Sequence, residues 1–167
     1  MLARVAHMGS ATSTCWRLEV KRFIALTAVI GTGILAAGSI ANGQTAAPTL
    51  TFKAALSAAQ VTPPPKGVKA EASGAFKATL SGTTLKWTLT YKNLTEPANA
   101  AHIHLGAKGK NGMALVALCS PCKSPISGTA NSVTDDEAAL MMKGDAYVNV
   151  HTDKNAEGEI RGAITGH

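Results

Sequence analysis

Gly74-Ala75-Phe76-Lys77-Ala78-Thr79-Leu80-Ser81-Gly82-Thr83-Thr84-Leu85-Lys86-Trp87-Thr88-Leu89-Thr90-Tyr91-Lys92 is the stretch that decides the fold. Ala70, Ala72, Gly74, Phe76, Ala78 and Leu80 alternate with Lys69, Glu71, Ser73, Lys77 and Thr79. Leu85, Trp87, Leu89 and Tyr91 alternate in the same way with Lys86, Thr88, Thr90 and Lys92. Side chains on a strand point to opposite faces with a period of two, so each run reads as a strand with one buried face. Ser81-Gly82-Thr83 supplies a tight glycine-containing turn between them, and the two strands form a hairpin.

Working outward, Leu50, Phe52, Ala54 and Leu56 alternate with Thr51, Lys53, Ala55 and Ser57, a third half-buried strand that ends at Pro63-Pro64-Pro65-Lys66-Gly67. Shorter strands are expected over residues 101–105, 114–118, 126–133, 146–151 and 159–164, with glycine and proline between them. Strands at this spacing predict an all-β, antiparallel sandwich or barrel of Greek-key-like connectivity. One segment departs from the pattern. Thr134-Asp135-Asp136-Glu137 has a capping box and an acidic first turn, and Lys143-Gly144 closes it, so a short helix is predicted near 134–143. Met141 and Met142 on that helix read as core packing rather than as ligands.

The chain has 167 residues, 46% hydrophobic and only 4% aromatic, which is material for one modest core. Residues 1–41 differ from the rest. Lys21 and Arg22 precede an uncharged apolar run from Phe23 to Ala37, and Ser39 and Ala41 occupy the −3 and −1 positions of a signal-peptidase site. Cleavage is expected after Ala41, with Gly43 as the second choice. Gly31, Gly33, Gly38 and Ser39 dilute the run relative to the roughly 20 apolar residues of a membrane anchor. The expectation is a secreted or periplasmic protein with no stable membrane span after cleavage, a short flexible start over 42–49, and a folded domain over 50–167.

The net charge of +6 owes much to that leader, which holds Arg4, Arg17, Lys21 and Arg22 against Glu19. Residues 42–167 keep 12 basic and 9 acidic side chains, a net of +3. Their lysines are scattered and their one arginine is Arg161, without the clustered Arg, Lys and stacking aromatics of a nucleic-acid binder, so no nucleic acid is expected as a partner. Cys119 and Cys122, in Cys-Ser-Pro-Cys, admit a structural disulfide, a redox pair or half of a zinc site. Pro121 and Pro125 argue for an irregular loop and no second ligand pair is in view, which favours the disulfide. A loop that short stabilises by only about 2 kcal/mol.

Three ordered motifs carry a family resemblance: Ala101-His102-Ile103-His104-Leu105-Gly106, then Tyr147-Val148-Asn149-Val150-His151-Thr152, then Gly158-Glu159-Ile160-Arg161-Gly162. With Leu56, Pro63 and Pro64 near the start and Gly144 before the second motif, the chain resembles the chordin-type (CHRD) domain over about residues 50–165. The resemblance implies a single-domain exported form, whose relatives include both repeated domains of an extracellular growth-factor antagonist and microbial proteins of undefined role. The cysteine-rich modules that accompany growth-factor binding are missing from this sequence, so that activity does not transfer. The implied role is a non-catalytic binding or structural module for a protein, glycan or metal ligand.

The histidines carry the chemistry that remains. His102 and His104 are two apart on one expected strand and share a face; Tyr147, Asn149 and His151 share a face on another, and Glu159 and Arg161 on a third. Where those strands are neighbours, His102, His104 and His151 could hold Zn²⁺ or Cu²⁺, supported by Asn149, Glu159 and Arg161. The plainer reading is a hydrogen-bonded polar cluster without a cofactor, with imidazoles bonded to backbone carbonyls, Asn149 or Glu159, and Arg161 paired to Glu159 or Asp153. Enzyme readings fare poorly: the sequence has no Gly-x-Ser-x-Gly elbow, no phosphate-cradling glycine loop and no His-Glu-x-x-His helix, and no catalytic residue is assigned.

Overall fold

The hairpin read from the sequence is the centre of the observed sheet. In the computed structural model, which describes residues 48–167, β1 (Thr49–Ser57), β2 (Ser73–Ser81) and β3 (Thr84–Lys92) form an antiparallel meander. The turn of the hairpin is confined to Gly82 and Thr83, with Gly82 at φ 56°, a left-handed conformation open to glycine at little cost. β4 (Ala98–Leu105), β5 (Ala114–Cys119) and β6 (Ile126–Asn131) follow, then α1 (Asp135–Lys143), β7 (Ala146–Thr152), β8 (Ile160–Ala163) and the two-residue β9 (Thr165–Gly166). A single 3₁₀ turn covers Ala58–Gln60.

All nine strands belong to one sheet in the order β5-β4-β7-β8-β1-β2-β3-β6, with β9 added to β1, curling into a nearly closed barrel. The two uncoupled edges are β5 and β6. The expected all-β architecture with one short helix is therefore what the described residues adopt. Most boundaries shift by a few residues, β4 starting earlier than expected at Ala98 and β6 ending earlier at Asn131, and two shifts have a visible cause. Lys69–Ala72 is a turn, closed by the Ala72 N–H donating to the Lys69 carbonyl, so β2 starts at Ser73 although the apolar alternation begins earlier. The last expected strand breaks at Ile164, whose N–H turns to the Ala146 carbonyl, and resumes as β9.

Phe52, Ala54 and Leu56 of β1, Phe76, Ala78 and Leu80 of β2, and Leu85, Trp87 and Leu89 of β3 point inward and meet Ile103, Val148, Val150, Ile160 and Ile164 from the other side. Each side chain of Val or Leu size so buried contributes roughly 1.5–3 kcal/mol. α1 has the predicted capping box: the Thr134 hydroxyl accepts from the Glu137 N–H while the Glu137 carboxylate accepts from the Thr134 N–H. Gly144 ends it in the left-handed conformation. The methionine pair divides, with Met141 fully buried and Met142 39% exposed. Cys119, the last residue of β5, forms a disulfide with Cys122, whose N–H donates to the Ala98 carbonyl.

The expected signal peptide over 1–41 and most of the stretch over 42–49 lie outside the described residues. Among the described residues no helix is long and apolar enough to cross a membrane.

Candidate metal centre

β7 runs between β4 and β8, and that adjacency assembles the site. Its register places His102 opposite Asn149 and His104 opposite Tyr147 on one side, and Arg161 opposite Asn149 on the other. With a period of two, His102, His104, Tyr147, Asn149, His151 and Arg161 stand on the outward face, while Ile103, Val148 and Val150 fill the core. An outward face of a barrel is ordinarily wet, yet Tyr147, Asn149 and Arg161 are only 3%, 5% and 3% exposed. Residues 106–113 explain this by folding over the row: Arg161 donates to the Lys110 carbonyl at 2.7 Å and to Asn111 Oδ1 at 3.0 Å, and the Gly112 N–H donates to the Tyr147 hydroxyl.

The three histidines converge. One ring nitrogen from each of His102, His104 and His151 lies within 4.8 Å of the other two. His102 Nδ1 and His151 Nε2 are 3.3 Å apart. For a tetrahedral ion with Zn–N bonds of 2.0–2.1 Å, the ligand-to-ligand edge is about 3.3–3.4 Å, so that pair is already at coordination spacing.

Backbone carbonyls set the tautomers of the other two contacts. His104 Nδ1 lies 3.0 Å from the Gly112 carbonyl and His151 Nδ1 lies 2.8 Å from the Ala156 carbonyl. A carbonyl only accepts, so each Nδ1 carries its proton and each neutral ring turns its Nε2 lone pair into the cluster. This is the outer-shell arrangement by which a metal-binding imidazole is oriented. His104 Nε2 is buried and has no hydrogen-bond partner. An orphaned buried acceptor costs free energy unless something fills the space it faces.

Burial favours the neutral form of two of the rings. Burial pulls the His102 imidazole below its ordinary pKa, and His104 beside it pulls the same way. Burial lowers that of His151 too, partly offset by its bond to the Ala156 carbonyl. Against one face of His104 the Tyr147 ring stacks with centroids 5.0 Å apart and a 7° interplanar angle. From the β8 side the Arg161 guanidinium carbon sits 3.4 Å from the centroid of the Tyr147 ring. The result is an imidazole, phenol and guanidinium column that fixes His104 from behind.

Two expected partnerships do not form. Glu159 leaves the histidine face: its carboxylate accepts from the Thr95 N–H at 2.6 Å, the Thr95 hydroxyl at 2.7 Å and the Thr152 hydroxyl at 2.7 Å, with Asn155 Nδ2 at 3.4 Å. The cause is local. Glu159 precedes the first paired residue of β8 and follows Gly158 at φ 124°, so strand alternation does not yet apply to it. Burial raises the Glu159 pKa, but the hydrogen bonds from Thr95, Thr152 and Asn155 outweigh it and hold the carboxyl below its ordinary value. Arg161 therefore pairs with neither Glu159 nor Asp153, which accepts from Asn99 instead. Nor does Asn149 bond an imidazole; its amide donates to the Glu157 carbonyl and its Oδ1 is buried without a partner.

Tyr147 and the covering loop, Lys110 to Gly112, are the site members that residue chemistry alone missed. Tyr147 sits two residues before Asn149 on the same face, which was visible, but its stacking against His104 required the β4–β7 register.

The CHRD domain family model matches this chain over residues 52–164, and the region includes the three motifs that build the site. No curated protein and no solved structure matches it. The CHRD domain is typical of extracellular proteins and supports a binding-module role. With a match covering most of its length, the chain belongs to the CHRD domain family.

Proposed function

We propose that the protein is an exported, non-catalytic binding module whose ligand is a divalent transition-metal ion, Zn²⁺ or Cu²⁺, held by His102 Nδ1, His104 Nε2 and His151 Nε2. The observation that carries this reading is the orphaned His104 Nε2, buried beside two further imidazoles and locked by its Nδ1–H bond to Gly112. Three neutral imidazoles suit Zn²⁺ and Cu²⁺ and leave a fourth position for water or a ligand from outside. Without metal His102 Nδ1–H donates to His151 Nε2 across 3.3 Å; binding at Nδ1 moves that proton to His102 Nε2, so the ring changes tautomer and stays neutral. The leader-like residues 1–41 and the disulfide support secretion or delivery to the periplasm.

Calorimetric titration of the tag-free chain with Zn²⁺ and with Cu²⁺ tests this, beside His104→Ala. One ion per chain, with affinity reduced at least 100-fold in His104→Ala, is the expected outcome. Wild-type protein that takes up no metal, or a variant that binds as well as wild type, returns the histidines to a structural polar cluster. Circular dichroism of the variant separates a lost ligand from a lost fold.

A further inference from the structure

On the opposite side of the barrel, β1, β2, β3 and β6 expose a face with a different chemistry. Its outward residues include Lys53, Lys77 and Lys86 among Thr79, Thr88 and Thr129. A shallow cleft of about 750 Å³ runs across these residues. Ten acidic residues occur in the chain; Glu19 lies outside the described residues, and none of the other nine falls on any strand, so the lysines of this face have no acidic side chain on their own strands to pair with. The acids gather instead on α1 and in the loops at 71, 96, 145, 153, 157 and 159.

The register makes this segregation costly. Lys53 stands directly opposite Lys77 on the neighbouring strand, and like charges so placed repel. Lysines on edge strands guard against aggregation, but β1 and β2 each have a strand on both sides, so that explanation does not apply here. A repulsive pair retained where the fold has no use for it points to a ligand that relieves it.

We infer that this cleft binds a chain of an acidic polysaccharide, its carboxylate or sulfate groups meeting Lys53, Lys77 and Lys86 and its sugar hydroxyls meeting the threonine rows. The face lacks what other polyanion partners require. It has no arginine, and Trp87 is only 6% exposed; the one exposed ring at the cleft is His167, which is not the series of stacking aromatics that a nucleic acid uses. Lipid would want apolar anchors, and the exposed large hydrophobics of the described residues, Met113 and Met142, lie off this face. Protein interfaces are depleted in lysine and serine and enriched in aromatics, the reverse of what stands here. Hydroxyls and lysines along a shallow cleft are the complement of a hydroxylated, negatively charged polymer.

The test uses the tag-free chain on surfaces bearing dextran sulfate, polygalacturonate or neutral dextran, with anionic phospholipid vesicles in parallel. Retention on the two charged polysaccharides, released by salt and absent on neutral dextran, is expected. Lys53→Gln/Lys77→Gln/Lys86→Gln weakens it at least tenfold, whereas Lys108→Gln/Lys123→Gln/Lys143→Gln, which removes the same charge elsewhere, changes it less than threefold. No retention of the wild type, equal losses in the two variants, or equal binding to vesicles overturns the assignment. His104→Ala keeps full retention, so this inference and the metal reading stand or fall separately.

Discussion

Lys77 and Tyr147 stand on strands of one barrel, each on an outward row set by the same alternation, and they end in opposite environments. Lys77 is exposed among threonines, whereas Tyr147 is 3% exposed between an imidazole and a guanidinium. β2 alternates buried and exposed side chains along its outer half, while β7 is buried at six of its seven positions. The difference comes from the loops. Residues 106–113 close over β7 through Arg161, Tyr147 and His104, and the Gly158 turn closes over Asn149. Alternation therefore decides which residues share a face; the connecting segments decide whether that face meets water. A covered polar face must satisfy or charge-match its groups, and an open one need not.

The covered face is the one that substitutions break hardest. At Gly158, φ is 124° and an added Cβ would lie 2.2 Å from Asn149 Oδ1. Gly158→Ala combines backbone strain with a clash against a buried side chain whose amide is held by the Glu157 carbonyl, and is expected to cost about 3 kcal/mol or more in urea unfolding. A loss under about 1 kcal/mol would mean that the turn over Asn149 yields, and that β7 is covered only loosely.

Glu159→Gln ranks next. The amide turns an N–H₂ toward groups that are themselves donors, Thr95 N–H and the two threonine hydroxyls, and is expected to cost roughly 2–3 kcal/mol. The pH dependence follows from the direction of the shift. The folded carboxyl titrates below its ordinary value of 4.5, so its stabilisation is fully present above about pH 4.5 and is lost as pH falls through the lower folded value. Melting of wild type and Glu159→Gln from pH 7 to pH 3 should show a gap that is constant down to about 4.5 and narrows below it. A gap independent of pH would show that Glu159 acts through shape rather than charge.

These contrasts also show what the sequence made readable. The period-two runs of 50–56 and 84–92 matched β1 and β3 nearly to the residue and the run from 69 matched β2 apart from its first four residues, because these strands need only local pattern and a glycine turn. The capping box gave α1 for the same reason. His102, His104 and His151 were legible as candidates by spacing on their strands, but their convergence depends on β4 and β7 being neighbours, some 45 residues apart in the chain. Glu159 and Arg161 were misread as a pair because alternation was extended one residue beyond the start of β8, across a glycine whose φ no other residue favours. The burial of Tyr147 was invisible for a further reason: it belongs to the loop that covers it, and loop paths leave no periodic trace.

On the open face the expected effect is smallest and its sign is reversed. Lys77→Thr removes the charge opposite Lys53 and places a β-branched residue on a central strand, and should stabilise by about 0.2–0.5 kcal/mol at low salt. Lys86→Thr is the control, since its cross-strand neighbours are Thr79 and Thr129 and it relieves no directly opposed charge. A gain from strand propensity would be common to both variants and would survive added salt. A gain from repulsion would belong to Lys77→Thr alone and fade as ionic strength approaches 1 M, where the screening length is about 3 Å. The second result would mean that the native chain keeps a repulsive pair in the middle of its sheet at a measurable cost to folding.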